Sequence, residues 1–119
     1  MARILLAEDD DSMRAFLKRA LEKAGHDVDA VADGVEALAA LIADRFDLLL
    51  ADIVMPGLDG IELARRAAED DPGLRVVLIT GFAAVALRAN QEAPPGAQVL
   101  SKPMHLRELV TQVDQILAA

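Results

Sequence analysis

Leu48-Leu49-Leu50-Ala51-Asp52-Ile53-Val54-Met55-Pro56-Gly57 is the stretch on which the reading of this chain turns. Apolar residues run without interruption into an aspartate, and a Pro-Gly turn follows. An apolar run this short, bounded by turn residues, reads as a strand buried on both faces, the kind found in parallel sheets. Its last residue is the carboxylate Asp52. In open α/β sheets, ligands bind just beyond the carboxyl ends of the strands, so Asp52 stands where chemistry is expected. Taken alone, it reads equally well as a helix cap or a turn aspartate.

Upstream of this strand, Asp33 and Glu36 form a capping box for a helix expected to bury Val35, Leu38, Leu41 and Ile42. Before that helix, Asp27 to Val31 is a weak, polar strand placed near a sheet edge. An earlier helix, capped by Asp11 or Ser12 and stopped by Gly25, carries Met13, Phe16, Leu17, Ala20, Leu21 and Ala24 at the spacing of one buried face. The first strand, Arg3 to Ala7, ends in the acidic run Glu8-Asp9-Asp10-Asp11. Asp10 and Asp11 are read as serving the dipole of the helix that follows.

Downstream, Ile61 to Asp70 is a helix, apolar at Ile61, Ala64, Ala67 and Ala68, and broken by Asp71-Pro72-Gly73. Arg75 to Thr80 is a buried strand. Ala83 to Gln91 is an Ala-rich helix without a strong apolar stripe. Ala97 to Leu100 is a fifth strand, followed by Ser101-Lys102-Pro103. A last helix carries Leu106, Leu109, Val110, Val113, Ile116 and Leu117 on one face. Strand and helix alternate throughout, which predicts a doubly wound five-stranded parallel sheet with five helices, an α/β architecture.

Composition narrows the function. The 119 residues suit one domain spanning 1–119 with one core, and leave nothing over for an output domain. Aromatics make up 3% and net charge is −8, so stacking on bases and binding to phosphate backbones are disfavoured. There is no Cys, hence no disulfide and no thiolate chemistry. No apolar stretch is long enough for a signal sequence or a membrane span, and the expectation is a soluble cytoplasmic protein. His26 and His105 are read as surface residues, since neither can be drawn into a base–nucleophile pair.

The strand ends supply a chemical set: Glu8 and Asp9, then Asp52, Thr80 and Lys102. Carboxylates gathered at one edge repel one another unless a cation joins them. Oxygen donors without His or Cys suit a hard ion such as Mg²⁺. A hydroxyl and an ammonium beside that ion can hold the remaining oxygens of a phosphoryl group. The set describes phosphoryl transfer to a carboxylate.

With these residues in view, the chain resembles the response-regulator receiver family of two-component signalling. The motifs that carry the resemblance are Ile4-Leu5-Leu6-Ala7-Glu8-Asp9-Asp10, Asp52 to Gly60, Thr80-Gly81 and Lys102-Pro103. The resemblance implies a flavodoxin-like receiver fold, with Asp52 accepting phosphate from the phosphohistidine of a histidine kinase or histidine phosphotransferase. It implies Mg²⁺ held by Asp9, Asp52 and the Val54 carbonyl, with Glu8 acting through water. Thr80 would bond the phosphoryl group, Lys102 would pair with carboxylate and then phosphate, and the Lys102-Pro103 bond would be cis. Two positions depart from the pattern. Val99 stands where the family often has an aromatic switch residue, and Met104 where it often has Phe. Val54 and Phe82, at the positions that help place the water for dephosphorylation, have no side chain that hydrogen-bonds water, so a long-lived acyl phosphate is expected.

The N-terminal stretch from Met1 to Leu17, the Ile79-Thr80-Gly81-Phe82 segment and Leu100 to Arg107 resemble in particular the CpdR-type stand-alone receivers of alphaproteobacteria. That resemblance implies an adaptor that, when unphosphorylated, primes the ClpXP protease for its substrates. The small, uncharged Ala118-Ala119 end resembles the tails that the ClpX unfoldase engages, and reads equally as the end of a helix. Three other readings compete. One is a receiver that only relays or buffers phosphate. Another is a small haloacid-dehalogenase-like phosphatase built on Asp9-Asp10-Asp11, which would leave Asp52 without a task. The last is an interaction module indifferent to phosphate. The missing G-x-G-x-x-G after the first strand speaks against a dinucleotide site. The expectation is a phosphoacceptor that at most catalyses its own phosphorylation and dephosphorylation, not an enzyme acting on other substrates.

Overall fold

The computed structural model describes residues 2–101 and 105–118. Elements alternate as β1 (Arg3–Ala7), α1 (Asp11–Lys23), β2 (Asp27–Val31), α2 (Gly34–Ala43), β3 (Leu48–Asp52), α3 (Gly60–Asp70), β4 (Arg75–Thr80), α4 (Ala83–Glu92), β5 (Gln98–Ser101) and α5 (Leu106–Ala118). All strand pairs are parallel, in the order β2-β1-β3-β4-β5. The polar strand β2 lies at an edge, as its composition predicts, and β3 lies at the centre.

Alternation along each strand sorts the core into two layers. Leu5, Ala7, Leu49, Ala51 and Leu78 face α2, α3 and α4 with Ala37, Ile61, Leu63, Ala64 and Ala89. Ile4, Leu6, Leu48, Leu50, Val77 and Ile79 face α1 and α5 with Leu17, Leu21, Leu109 and Val113. β1 and β3 are shielded on both sides, which is why they read as continuous apolar runs.

Several helix faces differ from expectation. Phe16, Val35 and Ile42 are exposed, Ile42 to 73%. On α2 the buried positions are Gly34 and Ala37, with Leu38 and Leu41 packed partly against the core. α2 is apolar almost all round, so its sequence offers two stripes at helical spacing; the buried one contains Gly34, where a Cβ would sit 2.2 Å from the Leu58 carbonyl oxygen. On α3, Leu63 joins the buried set and Ala68 is only half-buried. His105 is exposed as expected, but His26 is not a free surface residue. Its Nε2 lies 2.7 Å from Asp114 Oδ1 on α5, and its Nδ1 accepts from the Ala2 N–H at 3.3 Å. Its partner lies 88 residues along the chain, beyond any local pattern.

At the amino edge of the sheet, Arg3 meets Asp44 at 2.6 Å and Asp29 at 3.1 Å and stacks on Phe46. Hydrogen bonds from Arg3 and then from the Arg45 N–H hold the Asp44 carboxyl below its usual range. The lowered value makes the pair stabilising above the ordinary carboxylate pKa, and that contribution is lost as pH falls through the lowered value.

The burial pattern has a direct check. Leu50→Ala removes a side chain with no exposed surface and should cost about 2–5 kcal/mol. Ile42→Ala should stay within about 0.5 kcal/mol of the parent. Urea denaturation of both variants measures the difference; a large loss for Ile42→Ala would mean that its outward face is covered.

Candidate functional site

The site is built where β1 and β3 end side by side. Ala7 pairs with Ala51, so the next residues, Glu8 and Asp52, come out at the same edge. One carboxylate oxygen each from Glu8, Asp9 and Asp52 lies within 4.8 Å of the others. The three differ in exposure: Glu8 is 2% exposed, Asp52 intermediate and Asp9 open to solvent. The donor set is all oxygen, the chemistry that a hard divalent cation requires.

Local structure sets each carboxylate. Glu8 directly follows β1, with its N–H on the Val31 carbonyl at 3.1 Å, and its Oε2 accepts from the Asp10 N–H at 3.2 Å. Asp10, not Asp11 or Ser12, caps α1 by accepting from the Met13 N–H at 2.8 Å. Capping occupies Asp10 and leaves Asp9 as the member of the run that joins Glu8 and Asp52. Asp52 Oδ1 accepts from the Val54 N–H at 3.2 Å, which orients the carboxylate.

Thr80 closes β4, the strand next to β3, and is 1% exposed. Its Oγ1 accepts from the Phe82 N–H at 3.2 Å, so the hydroxyl proton remains available for donation. Thr80 pairs with Ser101 on β5. Lys102, the Lys102-Pro103 bond, Met104 and Ala119 lie outside the described residues. Val54 and Phe82 are exposed near the strand ends, Phe82 to 62%. Val99 is half-buried and packs against the core layer of α2, α3 and α4.

Sequence reasoning passes over two residues that shape this edge. Arg14 donates from Nη1 to the Glu8 carbonyl at 2.9 Å; an Arg one turn into a helix after an acidic loop is the signal. Gly60 opens α3, and a Cβ there would sit 2.5 Å from the Asp52 carbonyl oxygen and 2.8 Å from Ile53 Cα. Only a missing side chain lets α3 start this close to the end of β3; a Gly directly after the capping Asp59 is its trace in the sequence.

Residues 4–114 match the response regulator receiver domain model. The chain belongs to the response regulator receiver family. It is 58% identical, over all of its length and 99% of the relative's, to the response regulator receiver protein CpdR of Brucella abortus. A response regulator receiver protein from Sinorhizobium medicae superposes with a TM-score of 0.91 at 34% identity, over 98% of this chain and 94% of that one. The response regulator TrrA of Thermotoga maritima, solved in complex with Mg²⁺ and BeF, superposes with a TM-score of 0.87 at 27% identity, over 98% and 99% of the two chains. This receiver is therefore a phosphoaccepting protein of two-component signalling and not an enzyme, which sets aside the phosphatase reading. Among the described residues, no helix is long and apolar enough to cross a membrane.

The close approach at Gly60 generates a prediction. Gly60→Ala must push backbone away from backbone, so it should destabilise the receiver by more than about 2 kcal/mol and shift the amide resonances of Asp52 and Ile53. A stability equal to the parent's would show that the β3–α3 junction is loose.

Proposed function

We propose that this receiver takes a phosphoryl group on Asp52 in the presence of Mg²⁺ and uses it to switch a protein–protein contact. The observation that carries the proposal is the convergence of Glu8, Asp9 and Asp52 within 4.8 Å beside a strand that ends in a buried threonine. The oxygens of Asp9, Asp52 and the Val54 backbone carbonyl would hold the ion, with Glu8 acting through water. When bound, Mg²⁺ supplies positive charge against the carboxylates and the phosphoryl oxygens. A carboxylate oxygen of Asp52 attacks the phosphorus of a phosphohistidine. The O–P bond forms as the P–N bond breaks, and the electron pair leaves with the imidazole, which takes up a proton. The Thr80 hydroxyl donates to one phosphoryl oxygen, and the Lys102 ammonium pairs with another.

The donor is a histidine kinase or a histidine phosphotransferase. Full-length similarity to Brucella CpdR supports the adaptor reading: the unphosphorylated receiver engages the ClpXP protease and its substrates in the cytoplasm, and phosphorylation ends that contact. With Val99 at the switch position, that position has no ring to follow Thr80. Val54 and Phe82 offer water no hydrogen bond from their side chains, and the acyl phosphate is accordingly long-lived.

Incubation with Mg²⁺ and acetyl phosphate, followed by mass spectrometry over time, tests the proposal. One adduct should map to Asp52 and persist after the donor is removed. The phosphorylated protein should no longer retain purified ClpX that the unphosphorylated protein retains. Equal labelling of Asp52→Ala would refute the assignment; equal retention of ClpX in both states would refute the switch.

A further inference from the structure

The loop between β1 and α1 is three residues long, Glu8-Asp9-Asp10, and most of its polar groups are engaged by their own neighbours. The Glu8 N–H continues the sheet ladder to Val31, the Asp10 N–H turns back to the Glu8 side chain, and the Asp10 carboxylate caps the helix. The Glu8 carbonyl is held differently, by the guanidinium of Arg14 at 2.9 Å. The other arm of the fork meets Asp11 Oδ1 at 2.6 Å. Asp11 is exposed, and an exposed pair of this kind contributes little by itself. The contact with the loop is the consequential one.

We infer that Arg14 is a positioning residue for the acidic site, acting through the Glu8–Asp9 peptide. The inference rests on reading Glu8, Asp9 and Asp52 as the Mg²⁺ site. The Glu8 carbonyl and the Asp9 N–H belong to one rigid plane. Holding the oxygen therefore holds the plane, and with it the direction in which Asp9 leaves the backbone. Asp9 is the exposed member of the three carboxylates, and burial does little to fix its side chain. The plane behind it must be set by a neighbour. Arg14 does this from the first turns of α1, where its own N–H bonds the Asp10 carbonyl at 2.9 Å. Backbone and side chain of one residue thus brace both ends of the Asp9-Asp10 segment.

Charge gives this inference a sharp sign. A guanidinium bonded to the loop that carries Glu8 and Asp9 repels a divalent cation held there, so if Arg14 acted only as a nearby charge, its removal would tighten Mg²⁺ binding. If it positions Asp9, removal weakens binding. Partners that orient metal ligands from behind typically contribute ten- to hundredfold in affinity.

Isothermal titration of the full chain with MgCl₂ decides between the two. Arg14→Gln removes the charge and the fork. Arg14→Lys keeps the charge but cannot span Glu8 and Asp11, and it keeps the test available should the glutamine variant fail to fold. Both should raise the Mg²⁺ Kd about tenfold, while Asp11→Asn stays near the parent value. The metal-free melting temperature, read in parallel, separates positioning from general destabilisation: the Kd should rise in Arg14→Lys with the melting temperature nearly unchanged. Binding by Arg14→Gln as tight as the parent's or tighter, or a parent-like Kd in Arg14→Lys, would overturn the inference. If the parent binds no Mg²⁺, and Asp9→Asn behaves as the parent does, the reading of the metal site fails and the positioning role fails with it.

Discussion

The constraint on which the rest depends is the mutual repulsion of Glu8, Asp9 and Asp52. Near a protein surface, two like charges at about 4 Å repel by a few kcal/mol, and here three meet within 4.8 Å. They cannot drift apart, because β1 and β3 are adjacent in the middle of the sheet and their side chains from Ile4 to Ala7 and Leu48 to Ala51 are almost wholly excluded from solvent. Folding the core therefore assembles the charge cluster. Three acidic groups brought to one edge are the arrangement that a hard divalent cation suits, which is the charge basis of the proposed site.

The surrounding features follow from that constraint. The Glu8 oxygen is turned onto the Asp10 N–H, Asp10 is occupied by its helix cap, and Asp11 meets Arg14, so Asp9 is the member of the acidic run that these contacts leave for the cluster. Gly60 lets α3 begin against the backbone of Asp52 and Ile53. Thr80 accepts from the Phe82 N–H, which leaves its own hydroxyl proton to donate. Each is a local device of sequence, and the parallel register of β1, β3 and β4 brings them to one edge.

Much of this was legible in the chain before folding. The run from Leu48 to Ala51 reads as a doubly covered strand, and strand–helix alternation places Glu8, Asp9, Asp52 and Thr80 at a common edge. What escaped the sequence has physical causes. Val35 and Ile42 share helical spacing with each other, yet the buried positions of α2 are Ala37 and Gly34, the latter seated on the Leu58 backbone, and hydrophobic pattern does not weigh such small residues. Asp10, Asp11 and Ser12 are all good caps, and which one serves depends on where β1 releases the chain. His26 finds Asp114 only in three dimensions, and the hold of Arg14 on the Glu8 carbonyl leaves a single trace in the sequence, an Arg one turn into the helix.

Thermal unfolding of the parent and of Asp52→Asn, each in EDTA and in saturating Mg²⁺, tests the central claim most directly. If the cluster is strained by its own charge, Asp52→Asn melts above the parent in EDTA, because one charge has been removed from a fixed frame. Mg²⁺ should stabilise the parent by about 2.7 kcal/mol at a hundredfold excess over its Kd and the variant far less. An Asp52→Asn protein that melts at or below the parent in EDTA, with neither protein moved by Mg²⁺, would contradict the account.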